Sequence, residues 1–432
     1  MTPGARLAAA IEILADIEAR HRPVAEALKD WGVSHRFAGS KDRAAIGNAV
    51  YDALRWRLSS AWVMSNDSPR ALVLATVGRR WGLGSVGLDT AIAGDPHAPS
   101  PLTTAEKALI DLADLAAAPA HVKADIPEWL APRLERAFAE EWVAEGEALA
   151  LRPPLDMRAN RLKADREKVA RALAQFGATP TTLAPDGLRI PPTEKDGRHP
   201  NVQVEPAFQK GWFEIQDEGS QIASHLVAAK PGEQVLDLCA GAGGKTLAIA
   251  AAMENKGQLF ATDSDRTRLA PIFDRLKRAG TRNVQVRPAG APLDDLHGRM
   301  DAVLLDVPCT GTGVWRRRPD AKWRLSERAL GDRVADQRRL IDQAVHYLKP
   351  GGRLIYVTCS ILPDENSDQV AALAERMKGI VITSPESALQ ATGMSDSARA
   401  TLQGALAPGG LLLSPRRTGT DGFFVAVLRK EH

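Results

Sequence analysis

Cysteine is scarce: the 432 residues hold three, Cys239, Cys309 and Cys359. None has a neighbour at the close spacing of a zinc pair or a disulfide framework, so no metal site is expected. Long apolar runs are missing too. No window approaches the roughly 18 uncharged residues of a membrane-spanning helix. The first thirty residues carry Glu12, Asp16, Glu18, Arg20 and Arg22, which excludes the apolar core of a secretory signal. A cytoplasmic protein without a membrane partner is expected. A strong charge of either sign is also absent. The net value of +3 neither demands nor excludes a nucleic-acid partner, so the distribution of charge must decide.

What is present is length, enough for roughly two to four domains. Residues 1–125 read as all-helical, with "ARLAAAIEILADIEA" and "DRAAIGNAVYDALRWRLSSAWVM" apolar at helical spacing. Residues 126–152 read as a helical linker closed by prolines. Over 153–230 the pattern of strand, helix and short strands indicates a small α+β subdomain. From 231 to 432, "QVLDLCA", "GQLFATD", "NVQVRP", "DAVLLDV" and "GRLIYVTC" alternate with helical stretches. That alternation predicts an α/β, doubly wound and mostly parallel sheet, with ligands at the carboxyl ends of its strands. The tail "GGLLLSPRRTGTDGFFVAVLRK" reads as an antiparallel pair at one edge.

"VLDLCAGAGGKT" is an apolar strand running through Gly241, Gly243 and Gly244 into a helix. Such a loop allows tight turning and close approach of a ligand. Asp263 follows about twenty residues on, at the end of the next strand, where a carboxylate can accept both ribose hydroxyls. Asp265 is the alternative cap for the following helix. A nucleoside-bearing cofactor is expected, and up to this point nicotinamide dinucleotide and S-adenosyl-L-methionine both qualify. The GxGxxG spacing fails at Thr246, and the GxxxxGK spacing of a phosphate loop is not met either.

The fourth and fifth strands end in "LLDVPCTGTG" and "YVTCSILPDENS". In a doubly wound sheet Asp306, Cys309 and Cys359 then emerge at the cofactor edge. With "RRPDAKW" between them and "GTDGFF" after them, the chain resembles the RsmB/Sun family of bacterial RNA cytosine-C5 methyltransferases, and its N-terminal helices resemble a NusB-type RNA-binding domain. The resemblance implies a Rossmann-like class I methyltransferase domain. It also implies S-adenosyl-L-methionine, held by Cys239, Ala240, Gly241, Ala242, Gly243, Gly244 and Lys245, with Asp263 at the ribose and Asp306 near the methyl donor. C5 of cytosine is a poor nucleophile until a thiolate adds at C6. Spacing does not choose between the two cysteines. The resemblance makes Cys359 the nucleophile and Cys309 the helper in product release. Asp306, protonated in apolar surroundings, would donate to N3, and Lys245 would place a positive charge nearby.

Two departures stand out. The family loop commonly reads CAAPGGK where this chain has "CAGAGGK", and Gly290 stands where an acidic residue usually meets the adenine, with Asp294 or Asp295 as substitutes. "PDEN" could position the cytosine or cap the next helix. The segment "VWRRRPDAKWRLSERALGDRVADQRR" is rich in arginine, with Trp315 and Trp323 interleaved for stacking on unpaired bases, and Arg36, Lys41, Arg43, Arg55 and Arg57 form a second basic area. The resemblance implies RNA as partner, small-subunit (16S) ribosomal RNA first, and a monomer with no protein partner indicated. The alternatives are tRNA as substrate, or a non-catalytic RNA-binding assembly or antitermination factor.

Overall fold

Thr2 caps the first helix, accepting from the Ala5 amide at 3.2 Å, and Pro3 opens it, so Pro3–Arg20 starts where its sequence signals it. Its apolar stripe Leu7, Ala10, Ile13, Leu14 and Ile17 is buried against Ile46, Ala49, Val50 and Ala53 of the helix Ser40–Arg55. The computed structural model describes residues 1–431, which divide into two units.

One unit comprises Met1–Pro153, Pro192–His199 and Val314–Leu325, and its ordered elements are helical. The late segment is bound to the early one. Trp323 Nε1 donates to Leu54 O at 2.7 Å, Arg55 donates twice to Arg316 O at 2.9 and 2.7 Å, and Lys322 Nζ donates to Arg55 O at 3.2 Å. This corrects the stacking expectation. Trp315 is 1% exposed and Trp323 packs on the helical core, while Arg316 and Lys322 are buried. Interleaved aromatics and cations serve packing here, because the short helix Pro319–Arg324 turns them inward.

The other unit holds two sheets. Strands β1 (Leu155–Ala159), β2 (Thr179–Pro180), β3 (Gly187–Ile190) and β4 (Phe213–Ile215) form an antiparallel sheet in the order β2-β3-β1-β4. The larger sheet contains β5 (Gln234–Asp237), β6 (Gln258–Ala261), β7 (Val284–Val286), β8 (Met300–Asp306), β9 (Leu348–Thr358), β10 (Ile380–Ile382), β11 (Leu406–Ala407), β12 (Gly410–Leu413) and β13 (Phe423–Lys430). Its order is β11-β12-β13-β9-β8-β5-β6-β7, with β10 on β13. The five strands β5 to β9 are parallel, as the mostly buried runs of β5, β6, β8 and β9 predict, while β7 at the sheet edge is partly exposed. The tail strands are antiparallel, but β13 is interior, pairing with β9 along Phe424–Arg429 and with β12 on its other side. Strand order reverses between β5 and β8, so the carboxyl ends of β5, β8 and β9 border the switch point where such sheets take their ligands.

Candidate active site

β5 ends at Asp237, and the chain then turns twice before the helix Gly244–Ala252. Ala240 N donates to Thr262 O at 2.8 Å and Gly243 N to Ala240 O at 2.9 Å. Gly243 has a φ of +84° and lies under Ile272, whose Cγ1 would be 2.5 Å from an added Cβ, so only glycine fits. The buried Asp263 accepts from Gly241 N at 2.9 Å and Asp265 N at 2.9 Å. Asp265 caps the next helix, accepting from Thr267 N and Arg268 N at 2.7 and 3.2 Å. Asp265 is therefore the cap of that helix, and Asp263 takes no part in capping it. Burial pushes the Cys239 thiol up, which keeps it protonated and unreactive.

Lys245, in the first turn of that helix, is buried and donates to Asp306 Oδ2 at 2.7 Å. Burial lowers its pKa, but the facing carboxylate more than offsets this and the net shift is upward. Its Nζ also lies 5.2 Å from the centre of the Phe423 ring. The apolar surroundings expected for Asp306 are absent: its side chain is 31% exposed and accepts from an ammonium group.

The parallel pairing of β8 with β9, Asp306 opposite Val357, brings both cysteine loops together. Cys309 Sγ and Cys359 Sγ are 3.3 Å apart. The hydrogen bond to Cys359, then burial, raise the Cys309 thiol well above its ordinary range. At that distance either sulfur can donate its S–H to the other.

Both loops are tied from the far side by residues the sequence reading left unassigned. Glu365, fully buried, accepts from Thr310 N at 2.9 Å and Thr310 Oγ1 at 2.5 Å. Gln337 Nε2 donates to the same carboxylate at 2.9 Å and to Pro308 O at 3.1 Å. Tyr356 OH donates to Glu365 O at 2.6 Å. Thr358 Oγ1 donates to Asn366 Oδ1 at 2.5 Å, and Asn366 Nδ2 to Ser360 O at 2.9 Å. Gly313 N donates to Cys359 O at 3.0 Å. "PDEN" is thus a clamp on the two thiol loops.

A family model described as 16S rRNA methyltransferase RsmB/F matches residues 224–429, and one described as an RsmF/B-like, ferredoxin-like domain matches residues 126–193. Over 309 residues the chain is 35% identical to ribosomal RNA small subunit methyltransferase B of Enterobacter sp. (strain 638), a stretch covering 71% of this chain and 66% of that protein. The chain belongs to the RsmB/F family. Among solved structures, PH0851 is similar over 100% of this chain and 99% of its own, at 25% identity and a TM-score of 0.72. NSun6 from Pyrococcus horikoshii with SFG shares the fold over 71% of this chain and 99% of its own, at 22% identity and a TM-score of 0.58.

The departure from the RsmB/F pattern at Gly290 has a structural setting. Gly290 has a φ of +74° and nothing within 4 Å of an added Cβ, so backbone conformation and not space favours glycine there. Asp295 is taken up by an ion pair with Arg287, whose guanidinium lies over the Phe260 ring. Asp237 was not singled out from the sequence. Its Oδ2 accepts from Thr246 Oγ1 at 2.6 Å, its Oδ1 is buried without a partner, and burial brings its carboxyl up to about 7.

Proposed function

We propose that the protein is an S-adenosylmethionine-dependent methyltransferase that forms 5-methylcytosine in small-subunit ribosomal RNA through a covalent adduct between Cys359 and C6. The observation that carries this reading is the pair of sulfurs 3.3 Å apart, within hydrogen-bond reach of each other, beside the glycine loop. Neither a dehydrogenase nor a binding factor has a use for two thiols in that place.

The residues fit the cofactor. The loop presents only small side chains from Ala240 to Gly244, and Asp263, fixed by two amides, keeps further lone pairs for ribose hydroxyls. Asp306 lies at the end of β8, at the switch point. Bound there, S-adenosylmethionine supplies an electrophilic methyl group.

The side chains then have distinct tasks. The Cys359 sulfur adds to C6, and the charge that develops at N3 takes a proton through Asp306, supplied by Lys245 at 2.7 Å. C5 becomes enamine-like and accepts the methyl group. A base must then take the C5 proton, N3 returns its proton to the Asp306–Lys245 pair, and the sulfur leaves C6 as a thiolate 3.3 Å from Cys309 Sγ. The family resemblance gives Cys309 the release role, and the closeness of the two sulfurs supports it.

For the RNA partner, the surviving basic surface is smaller than the sequence suggested. Arg55 is buried, and Arg57 pairs with Glu18 at 2.8 Å. Arg36, Lys41 and Arg43 are exposed and form no ion pair among the described residues. They flank Phe37, 73% exposed, on a turn tied by Ala38 N to His35 O at 3.1 Å and by Arg43 Nε to Ala38 O at 2.8 Å. A fixed, exposed ring among uncompensated cations suits an unpaired RNA segment.

Bisulfite sequencing of total RNA from cells lacking the gene tests the reading. One missing 5-methylcytosine in 16S rRNA is expected. A loss in tRNA would move the substrate, and no change anywhere would overturn the enzyme.

A further inference from the structure

We infer that Arg275 is a positioning residue that braces the cofactor loop in place of the proline this chain lacks, an inference that rests on that loop being the S-adenosylmethionine site. Arg275 projects from the helix Ile272–Ala279, and its Nη1 donates to Ala242 O at 2.9 Å. Ala242 is the position where the family pattern carries proline.

The guanidinium is held from its other side. Nε and Nη2 both donate to Glu214 Oε2, at 3.2 and 2.9 Å, and Glu214 on β4 is 3% exposed. Arg278 Nη2 donates to the remaining Oε1 at 2.5 Å, so the carboxylate cannot turn away without breaking a second contact. An arginine fixed by such a fork has one direction left for its free nitrogen, and that direction is the loop carbonyl. The same helix places Ile272 over Gly243, so it covers the loop twice, once by shape and once by a hydrogen bond.

Proline stiffens a loop by removing backbone freedom, and alanine restores that freedom. A hydrogen bond to the carbonyl of the same residue removes it again from outside. Ala242 N makes no hydrogen bond among the described residues, so proline at this position would forfeit none. Brace and proline are therefore interchangeable solutions to one problem, the ordering of the loop before the cofactor arrives.

The test uses the full chain. Arg275→Met should speed amide hydrogen exchange at Gly243, Gly244 and Lys245 in cofactor-free protein and weaken S-adenosylhomocysteine binding, read by calorimetry, about two- to fivefold. Adding Ala242→Pro should restore both. Arg278→Met, which loosens Glu214 but leaves the Arg275 contact with the loop in place, should have a clearly smaller effect on both. Unchanged exchange in Arg275→Met, an equal effect from Arg278→Met, or failure of the proline to restore would each overturn the brace. If the unaltered protein does not bind S-adenosylhomocysteine at all, the functional reading fails, while the exchange measurement still decides on the brace.

Discussion

Glu365 grips Thr310 at two points, accepting from its amide at 2.9 Å and its hydroxyl at 2.5 Å, and Thr310 is the residue after Cys309. The carboxylate comes from the β9 loop and the threonine from the β8 loop, so this contact sets how far apart the two sulfurs sit. Displacing a reacting group by about 1 Å can cost on the order of a hundredfold in rate. Glu365→Ala should lower methyl transfer at saturating substrate by about ten- to a hundredfold, with cofactor affinity unchanged. A parallel fall in cofactor affinity would mean that the whole site has loosened and that the clamp is not specific to the thiols.

The two cysteines should fail differently. Cys359→Ala should abolish methyl transfer and leave S-adenosylhomocysteine binding intact. Cys309→Ala should instead trap protein on RNA as an adduct that survives a denaturing gel, because the departing sulfur loses the thiol 3.3 Å from it. An adduct in the Cys359 variant and none in the Cys309 variant would exchange the roles.

Much of this was legible before the structure. The five parallel strands announced themselves as apolar runs ending in polar loops, and the glycine loop with Asp263 placed the cofactor edge. Glu365 and Gln337 were not legible, because a glutamate before a helix reads equally well as a cap, and a glutamine among arginines reads as part of a solvated face. Only the crossing of the helix Glu327–Tyr347 behind both loops turns Gln337 inward, where it is fully buried. Trp315 and Trp323 misled for the matching reason. Composition records that aromatics and cations alternate, whereas the packing of Pro319–Arg324 on the early helices decides which of them see solvent.

Asp237 should leave a pH signature on stability. Burial holds its carboxyl at about 7 in the fold, against about 3.9 in the unfolded chain. Between those values the folded state binds the extra proton, so this residue's contribution falls as pH rises from about 4 to 7 and stays low above that. Asp237→Asn cannot ionise. The melting temperature of the variant relative to the unaltered protein should therefore rise between pH 5 and pH 8. A difference that is flat, or that moves the other way, would mean that Asp237 is already ionised in the fold at pH 5.

The surface around Phe37 makes a separate demand on the RNA reading. If Arg36 and Lys41 contact phosphates of a single strand, each contributes about 0.7 to the slope of log affinity against log salt. Replacing both with alanine should lower that slope by about one to two and weaken binding of unmethylated 16S rRNA at low salt more than at high salt. Phe37→Ala removes a stacking face and no charge, so it should weaken binding by about 1–3 kcal/mol while leaving the slope unchanged. Equal slopes across all three proteins, measured by filter binding, would move the RNA contact away from this turn and leave the exposed ring without a ligand.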